Sequence, residues 1–136
     1  MMNTTYVKMR NQLIFVFTKT LHHMQTKNVI VDKSLDFSVE EIKFCELLES
    51  QRKFVVARQL LRSGTSIGAN VFEAQHAESR ADFIHKMKIA IKEANETLYW
   101  LILCERSSSY PTDVNLKNSA EELIRIISKI ILSSKK

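Results

Sequence analysis

Apolar residues recur three and four positions apart along most of this chain, the spacing that places side chains on one face of an α-helix. Four segments show the pattern. The first is predicted to begin at Ser38, where Glu41 three residues later completes a capping box in which each side chain accepts a hydrogen bond from the other residue's backbone N–H. The apolar positions of this segment are Val39, Ile42, Phe44 or Cys45, and Leu48.

The second segment, predicted over about 53–76, carries both glycines of the chain. Each glycine costs about 1 kcal/mol relative to alanine in a helix interior, and the close approach of another helix would offset that cost. The pattern therefore predicts that Gly64 and Gly68 form a helix-packing surface. A phosphate-binding loop over 63–68 is disfavoured, because it lacks the lysine of such loops and no strand precedes it. The apolar stripe comprises Phe54, Ala57, Leu61, Gly64, Gly68 and Val71.

Two further helices are predicted after residue 78. The third begins at Ser79, with Asp82 at the matching capping position, and reaches about Cys104. A loop follows at 107–111, and the fourth helix starts near 111–113. Their apolar positions are Phe83, Met87, Ala90, Ala94, Leu98 and Leu101 in the third helix, and Leu116, Ala120, Leu123, Ile127 and Ile130 in the fourth.

The composition supports an all-α fold. Two glycines and one proline in 136 residues are too few for the turns of a β-sandwich or β-barrel, and a hydrophobic content of 45% suits one globular domain. We predict an antiparallel, up-down four-helix bundle over residues 31–136. Residues 1–30 show no helix cap and no sustained period, so they are interpreted as an N-terminal extension, either disordered or the product of a start codon assigned upstream of Met24.

The cysteines and the apolar runs indicate in which cellular compartment the protein is expected. Cys45 and Cys104 are too few for a disulfide framework and suit a reducing cytoplasm. The apolar run at 13–17 is shorter than the core of a secretion signal, and no stretch approaches the ~20 apolar residues of a membrane span. The protein is expected to be cytoplasmic and to have no membrane partner.

The predicted helices carry more apolar residues than a single core face requires. Because large exposed apolar patches mark association surfaces, we expect bundle protomers to assemble into a homo-oligomer. The additional residues are Val55, Val56, Leu60 and Ile67 in the second segment, and Ile84, Ile89, Ile91 and Trp100 in the third.

The charge distribution suggests a nucleic-acid surface. The formal net charge is +5, and residues 52–92 hold eight basic and three acidic residues. Basic residues one helical turn apart share a face and can follow phosphates. Pairing of Arg62 or Lys92 with Glu73, Glu93 or Glu96 is an equally weighted alternative. The candidate nucleic-acid-binding residues are Arg58, Arg62, Lys86, Lys88 and Lys92.

A dimetal site is the other chemistry that the sequence suggests. Glu73 and His76 form a Glu-x-x-His motif, and Asp82 with His85 forms its aspartate analogue. A di-iron bundle needs such motifs on two helices, with an inward glutamate from each of two others. Here both motifs flank one interhelical turn, so we expect no metal, no cofactor and no catalytic residue.

Three stretches of the chain resemble a known family. They are 60–74, which reads LLRSGTSIGANVFEA, 82–87, which reads DFIHKM, and 92–101, which reads KEANETLYWL. The sequence looks like the bacterial proteins encoded in intervening sequences of 23S rRNA genes, over about residues 31–136. The resemblance implies an up-down four-helix bundle, a ring-like homopentamer and no catalysis. Accessory variability determinants of diversity-generating retroelements, a related branch, bind a reverse transcriptase and nucleic acid.

The sequence and this resemblance together support a non-enzymatic, oligomeric scaffold or accessory factor that contacts RNA or an RNA-handling protein. An accessory subunit for a reverse transcriptase is the first alternative hypothesis. A metal-dependent bundle enzyme is the second, and it rests only on the two histidine motifs.

Overall fold

The part of the chain that the structure describes consists of α-helices joined by short connections. A computed structural model describes the backbone of residues 3–22 and 28–136, and the side chains of 3–15 and 28–136. These residues form five helices and no strand, so the all-α prediction is confirmed at that level, whereas the predicted helix count was four. The helices are α1 (Thr4–His22), α2 (Val29–Ser50), α3 (Phe54–Ala74), α4 (Arg80–Arg106) and α5 (Val114–Ser134).

Four of the helices form a bundle in which each helix packs against two others. Helix α2 packs against α3, α3 against α4, α4 against α5, and α5 against α2. The connections at 51–53, 75–79 and 107–113 are too short to return the chain along helices of 21 to 27 residues, so consecutive helices run antiparallel. Among the described residues, α1 packs against none of the other helices. The interpretation of 1–30 as an extension, disordered or a start-codon artefact, stays a prediction.

The helix ends confirm three of the four predicted starts, near 53, 79 and 111–113, and contradict the one at Ser38. The Ser79 side chain accepts a hydrogen bond from the Asp82 N–H at 3.0 Å, and Asp113 accepts one from the Leu116 N–H at 2.9 Å, as N-caps do. The capping box at Ser38 is wrong, because α2 begins nine residues earlier at Val29. In the helix interior, the Ser38 hydroxyl donates to the Ser34 carbonyl at 3.0 Å.

The core positions of α2 and α3 match the predicted ones in part: Phe44, Cys45, Leu48, Ala57 and Val71 are buried. Val39, Ile42, Phe54 and Leu61 were predicted to face the core, but between 36% and 52% of each is exposed. Conversely, three of the residues assigned to an association surface are buried in the protomer core: Val56, Leu60 and Ile67. The physical reason is that the glycine stripe of α3 lies at the edge of the core, along the contact with α2, so the core face is centred on neighbouring positions.

The two glycines lie where α3 meets α2. A side-chain carbon at Gly64 would lie 1.7–2.1 Å from the Glu41 carboxyl group, inside atomic contact. A side-chain carbon at Gly68 would lie 3.5–3.6 Å from Ser34 and Ser38, an ordinary van der Waals distance. Only Gly64 therefore occupies a position where any larger residue must displace its neighbour. We call this contact the α2–α3 seam, comprising Ser34, Ser38, Glu41, Gly64 and Gly68.

A second buried polar contact joins α3 to α4. The hydroxyl oxygens of Ser63 and Thr97 lie 2.9 Å apart, and neither residue is exposed. Each hydroxyl is also within hydrogen-bonding distance of a carbonyl one turn earlier in its own helix, at 3.2 Å for Ser63 and 2.8 Å for Thr97. Because both buried hydroxyls have partners, the contact fixes the alignment of the two helices without leaving an unsatisfied group.

Replacing the two glycines by alanine is expected to have opposite effects on the free energy of unfolding. Gly68→Ala should stabilise the fold by about 0.5–1 kcal/mol, since alanine favours the helix and its methyl group fits. Gly64→Ala should destabilise it by about 1–3 kcal/mol, the usual cost of overpacking a core. Urea denaturation of both variants measures this difference. Equal effects of the two substitutions would contradict the seam geometry.

Candidate nucleic-acid interface

The five predicted nucleic-acid-binding residues lie on two helices that pack together. Arg58 and Arg62 are on α3, and Lys86, Lys88 and Lys92 are on α4. We call these five residues the basic set. Arg58, Arg62, Lys88 and Lys92 are exposed, and Lys86 is half-buried. The fold thus brings the set to one side of the bundle, but the charge that each residue offers to a ligand depends on its neighbours.

Arg62 is held by carboxylates of α4. Its guanidinium hydrogen-bonds to Glu96 and lies 3.4 Å from a carboxylate oxygen of Glu93, while the Trp100 indole N–H donates to Glu96 at 3.2 Å. The hydrogen bond from Arg62 lowers the pKa of Glu96, and in return the hydrogen bond to Glu96 raises the pKa of Arg62. This geometry is the pairing that the sequence offered as the alternative to phosphate contact.

Lys86 also has an acidic partner. Its ammonium group lies 3.1 Å from a carboxylate oxygen of Glu73 on α3. Both the Lys86 and the Arg62 contacts cross from α3 to α4, so they tie the helices together and neutralise part of the positive charge. Such exposed pairs are individually weak, at about 0–1 kcal/mol, and phosphates can compete for them.

The remaining members of the basic set form no ion pair within residues 3–15 and 28–136. They are Arg58, Lys88 and Lys92. On α4, Lys88, Lys92 and Tyr99 stand four and seven residues apart, so they share one face of the helix. The Tyr99 ring is 58% exposed and its edge contacts Trp100, with ring centroids 5.1 Å apart. We call Lys88, Lys92 and Tyr99 the α4 stripe. Their spacing in the sequence could have predicted that an aromatic side chain lies on the same helical face as the two lysines.

The opposite side of the bundle contains an acidic groove. A groove of about 270 Å³ between α2 and α5 is lined by Asp36, Glu40, Asp113 and Glu122 among other residues. One cation at this groove, Lys33, is paired with Glu122 at 2.9 Å. Because phosphates are repelled by such a surface, a polyanion would approach from the α3/α4 side.

The histidine motifs are not assembled into a metal site. Glu73 is paired with Lys86, and Asp82 accepts a hydrogen bond from the Glu78 N–H at 3.1 Å. The His76 ring lies against Phe72, with centroids 6.0 Å apart. Within the described ranges, no three or more His, Cys, Asp or Glu side chains are placed to hold a metal ion. Residues 63–68 are helical, so their backbone is not arranged as a phosphate-binding loop.

Sequence reasoning missed the most unusual polar side chain. Glu41, assigned to a helix cap, is completely buried, and neither carboxyl oxygen has a hydrogen-bond partner. Burial raises the pKa of Glu41 to about 9. Burial, with a contribution from Glu41, also raises the pKa of the Cys45 thiol to about 12. The spacing of Glu41 was the available sequence signal. It lies on the same helical face as residues 34, 37, 45 and 48, and all five are buried.

The fold and these surfaces define an all-α helical-bundle protein with the basic set on α3 and α4 and an acidic groove between α2 and α5. None of its described helices is long and apolar enough to cross a membrane. The chain belongs to the 23S rRNA-intervening sequence protein family, whose sequence profile matches residues 26–130.

A solved structure supports this assignment. A crystal structure of a protein of unknown function from the S23 ribosomal protein family of Bacteroides thetaiotaomicron VPI-5482 is 46% identical in sequence. Its TM-score is 0.72, and the similarity covers 76% of this chain and 98% of that one. A search of curated proteins finds no match. Neither the family nor this neighbour is described by a catalytic activity.

Proposed function

We propose that this protein is a non-enzymatic, homo-oligomeric scaffold of the 23S rRNA intervening-sequence type, which acts in the cytoplasm as an accessory factor that contacts RNA. The observation that carries the proposal is a row of exposed apolar side chains on the outside of α2 and α3. The buried free thiols of Cys45 and Cys104 suit a reducing compartment.

The apolar row follows both sides of the α2–α3 seam. On α2, Leu35, Val39 and Ile42 are spaced by four and three residues and share one face. On α3, Phe54, Leu61 and Phe72 are spaced by seven and eleven residues and share another. Between 36% and 53% of each side chain is exposed. We call these six residues the outer α2/α3 face.

A second copy of the chain is the occupant that we propose for the outer α2/α3 face. Large side chains such as Phe54 and Phe72 expose apolar area to water in a lone protomer, and burying such area contributes about 25 cal/mol per Å². Contiguous apolar patches of this kind mark association surfaces. Together with the family resemblance, this supports a closed homo-oligomer, for which we propose five copies.

The α4 stripe is the surface that we propose for RNA. Exposed lysines without an acidic partner can neutralise phosphates and release counterions, and an exposed tyrosine can stack on an unpaired base. Arg58 extends this surface onto α3. Arg62 and Lys86 contribute less than their charges suggest, because carboxylates already hold them.

The assembly is tested by introducing charge on the outer α2/α3 face. The double variant Val39→Glu/Ile42→Glu should reduce the particle from the mass of five 15.8 kDa chains to that of one, because burying the added carboxylates of every chain in an interface is unfavourable. Sedimentation at micromolar concentration and native mass spectrometry measure the mass, and circular dichroism checks that the helices remain.

A matched control carries the same charge change elsewhere. Val114 and Leu132 on α5 are 57% and 64% exposed, so Val114→Glu/Leu132→Glu should leave the oligomer intact. A monomeric parent protein, or dissociation by the control alone, would be incompatible with the proposed assembly face.

The RNA surface is tested by charge reversal on the α4 stripe. Lys88→Glu/Lys92→Glu should weaken binding to structured RNA with a single-stranded loop at least tenfold. It should also lower the slope of log affinity against log salt by about 1.4–1.8, as expected for two lost phosphate contacts. Mobility-shift titrations across a salt series provide both quantities, and Tyr99→Ala should weaken binding with little change in slope.

The control for net charge is Arg125→Glu/Lys129→Glu, which reverses two exposed bases that stand four residues apart on α5, as Lys88 and Lys92 do on α4. It should retain most of the affinity. If both double variants lose affinity equally, attraction by overall charge accounts for binding and the α4 stripe is not the RNA surface.

A further inference from the structure

The Glu41 carboxyl group lies in a space that exists because α3 has a glycine opposite it. The group occupies the volume that a side chain at Gly64 would fill, at 1.7–2.1 Å from the position of a side-chain carbon. The residue is fully buried, and both oxygens lack a hydrogen-bond partner. The α2–α3 seam therefore contains a buried carboxyl group that has no hydrogen-bond partner.

The groups around Glu41 supply no compensating positive charge. On α2, the next titratable group on the same face is the Cys45 thiol, and Glu40 is paired with Lys43 at 2.8 Å. From α3, the seam presents Gly64, while Arg62 is engaged by Glu93 and Glu96 on α4.

The helices α4 and α5 contribute no cation at this point either. Cys104 of α4 interacts electrostatically with Cys45, and its own thiol pKa is raised by burial. At the contact between α5 and α2, the carboxyl groups of Asp113 and Glu122 line the groove together with Asp36 and Glu40, and Lys33 is paired with Glu122. Burial is accordingly the whole cause of the raised pKa of Glu41.

An ionised carboxylate is costly in such a place. Removing a charge from water without a counter-ion is far less favourable than burying a neutral polar group, so a buried acid takes up a proton instead. A neutral carboxylic acid fills the space over Gly64 at a smaller cost, since only hydrogen bonds to water are lost. A carboxylate at the same position can regain solvation only when α2 and α3 separate.

We propose that Glu41 is a proton-dependent latch: the neutral acid keeps the α2–α3 seam closed, and loss of its proton opens the seam. The device is independent of the proposed RNA-binding role. It makes folding a proton-uptake reaction, because the folded protein holds a proton on Glu41 that the unfolded chain releases at neutral pH.

The direction of the pH dependence follows from the two states of Glu41. The folded pKa is about 9, above the usual value of 4.5. Below pH 4.5 both states hold the proton, and the full contribution of the neutral acid to stability is present. Between these values only the folded state holds it, so stability falls as pH rises through the window. One proton of difference lowers the folding constant by up to about tenfold per pH unit.

The test compares the wild-type protein with Glu41→Gln, which replaces the acid by an amide that cannot ionise. Urea unfolding at one fixed protein concentration should give a ratio of folding constants, wild type over variant, that falls by up to about tenfold per pH unit between pH 5 and 8. Glu46→Gln, an exposed position on the same helix, should change neither the slope nor the midpoint of the wild-type pH profile. A ratio for Glu41→Gln that is constant with pH would overturn the proposal.

Two further measurements do not depend on a stable variant. At pH 7, where exposed carboxyl groups are ionised, the infrared spectrum of the wild-type protein should still contain the carbonyl band of a protonated carboxyl group. This band should disappear above pH 9. Alkylation of Cys45, located by mass spectrometry, should accelerate above pH 9 in the wild type more than in Glu41→Leu, which also serves if Glu41→Gln fails to fold. Absence of the band at pH 7, or equal acceleration in both proteins, would overturn the latch.

Discussion

The close approach of α2 and α3 at Gly64 constrains the rest of the bundle. A residue without a side chain leaves room for one carboxyl group from the facing helix, and the fit admits no additional atom. This contact sets which residues of α2 lie opposite which residues of α3. It thereby places Phe37, Phe44 and Leu48 in the core and turns the apolar residues of the outer α2/α3 face away from it.

The close approach of α2 and α3 also determines where the apolar and the charged residues of α3 lie on the surface. The seam and the Ser63–Thr97 contact border the buried face of α3, and the remaining arc of the helix faces outward. Phe54 and Phe72 occupy the part of that arc beside α2, and Arg62 is directed to α4, where Glu93 and Glu96 receive it. The outer α2/α3 face, proposed for association, and the α4 stripe, proposed for RNA, therefore lie on different helices, and Arg58 lies between them because it is four residues from Phe54 on α3.

The sequence predicted features whose causes are local. The predicted N-cap at Ser79 depends on one side chain and the backbone three residues later, and the all-α class follows from helical periodicity and scarce turn residues. The turn between α2 and α3 shows where local signals end. Arg52 has φ 61° and the Lys53 N–H donates to the Leu48 carbonyl at 2.9 Å, a helix ending that usually carries glycine. The polar residues at 49–52 predict the break between the helices, but no glycine among them predicts the left-handed residue.

Features that depend on two helices at once could not be predicted in this way. The pattern Ser-x-x-Glu at 38–41 is identical in a helix cap and in a helix interior, and only the presence of Gly64 across the seam makes burial of Glu41 possible. Likewise, the sequence left the partners of Arg62 open, since ion pairing and phosphate binding require the same exposed base. The contact with α4 decides which carboxylates reach it.

The dependence of the fold on the Glu41–Gly64 contact is most directly measured by a double-mutant cycle of Glu41→Ala and Gly64→Ala, followed by urea unfolding at pH 5, where Glu41 is neutral in the folded protein. If the two groups share one space, Gly64→Ala should destabilise the protein that retains Glu41 but be neutral or stabilising in the Glu41→Ala background, with a coupling free energy of about 0.5–3 kcal/mol. The same cost of Gly64→Ala in both backgrounds would show that the carboxyl group does not occupy the space over the glycine, and the account of the seam would be wrong.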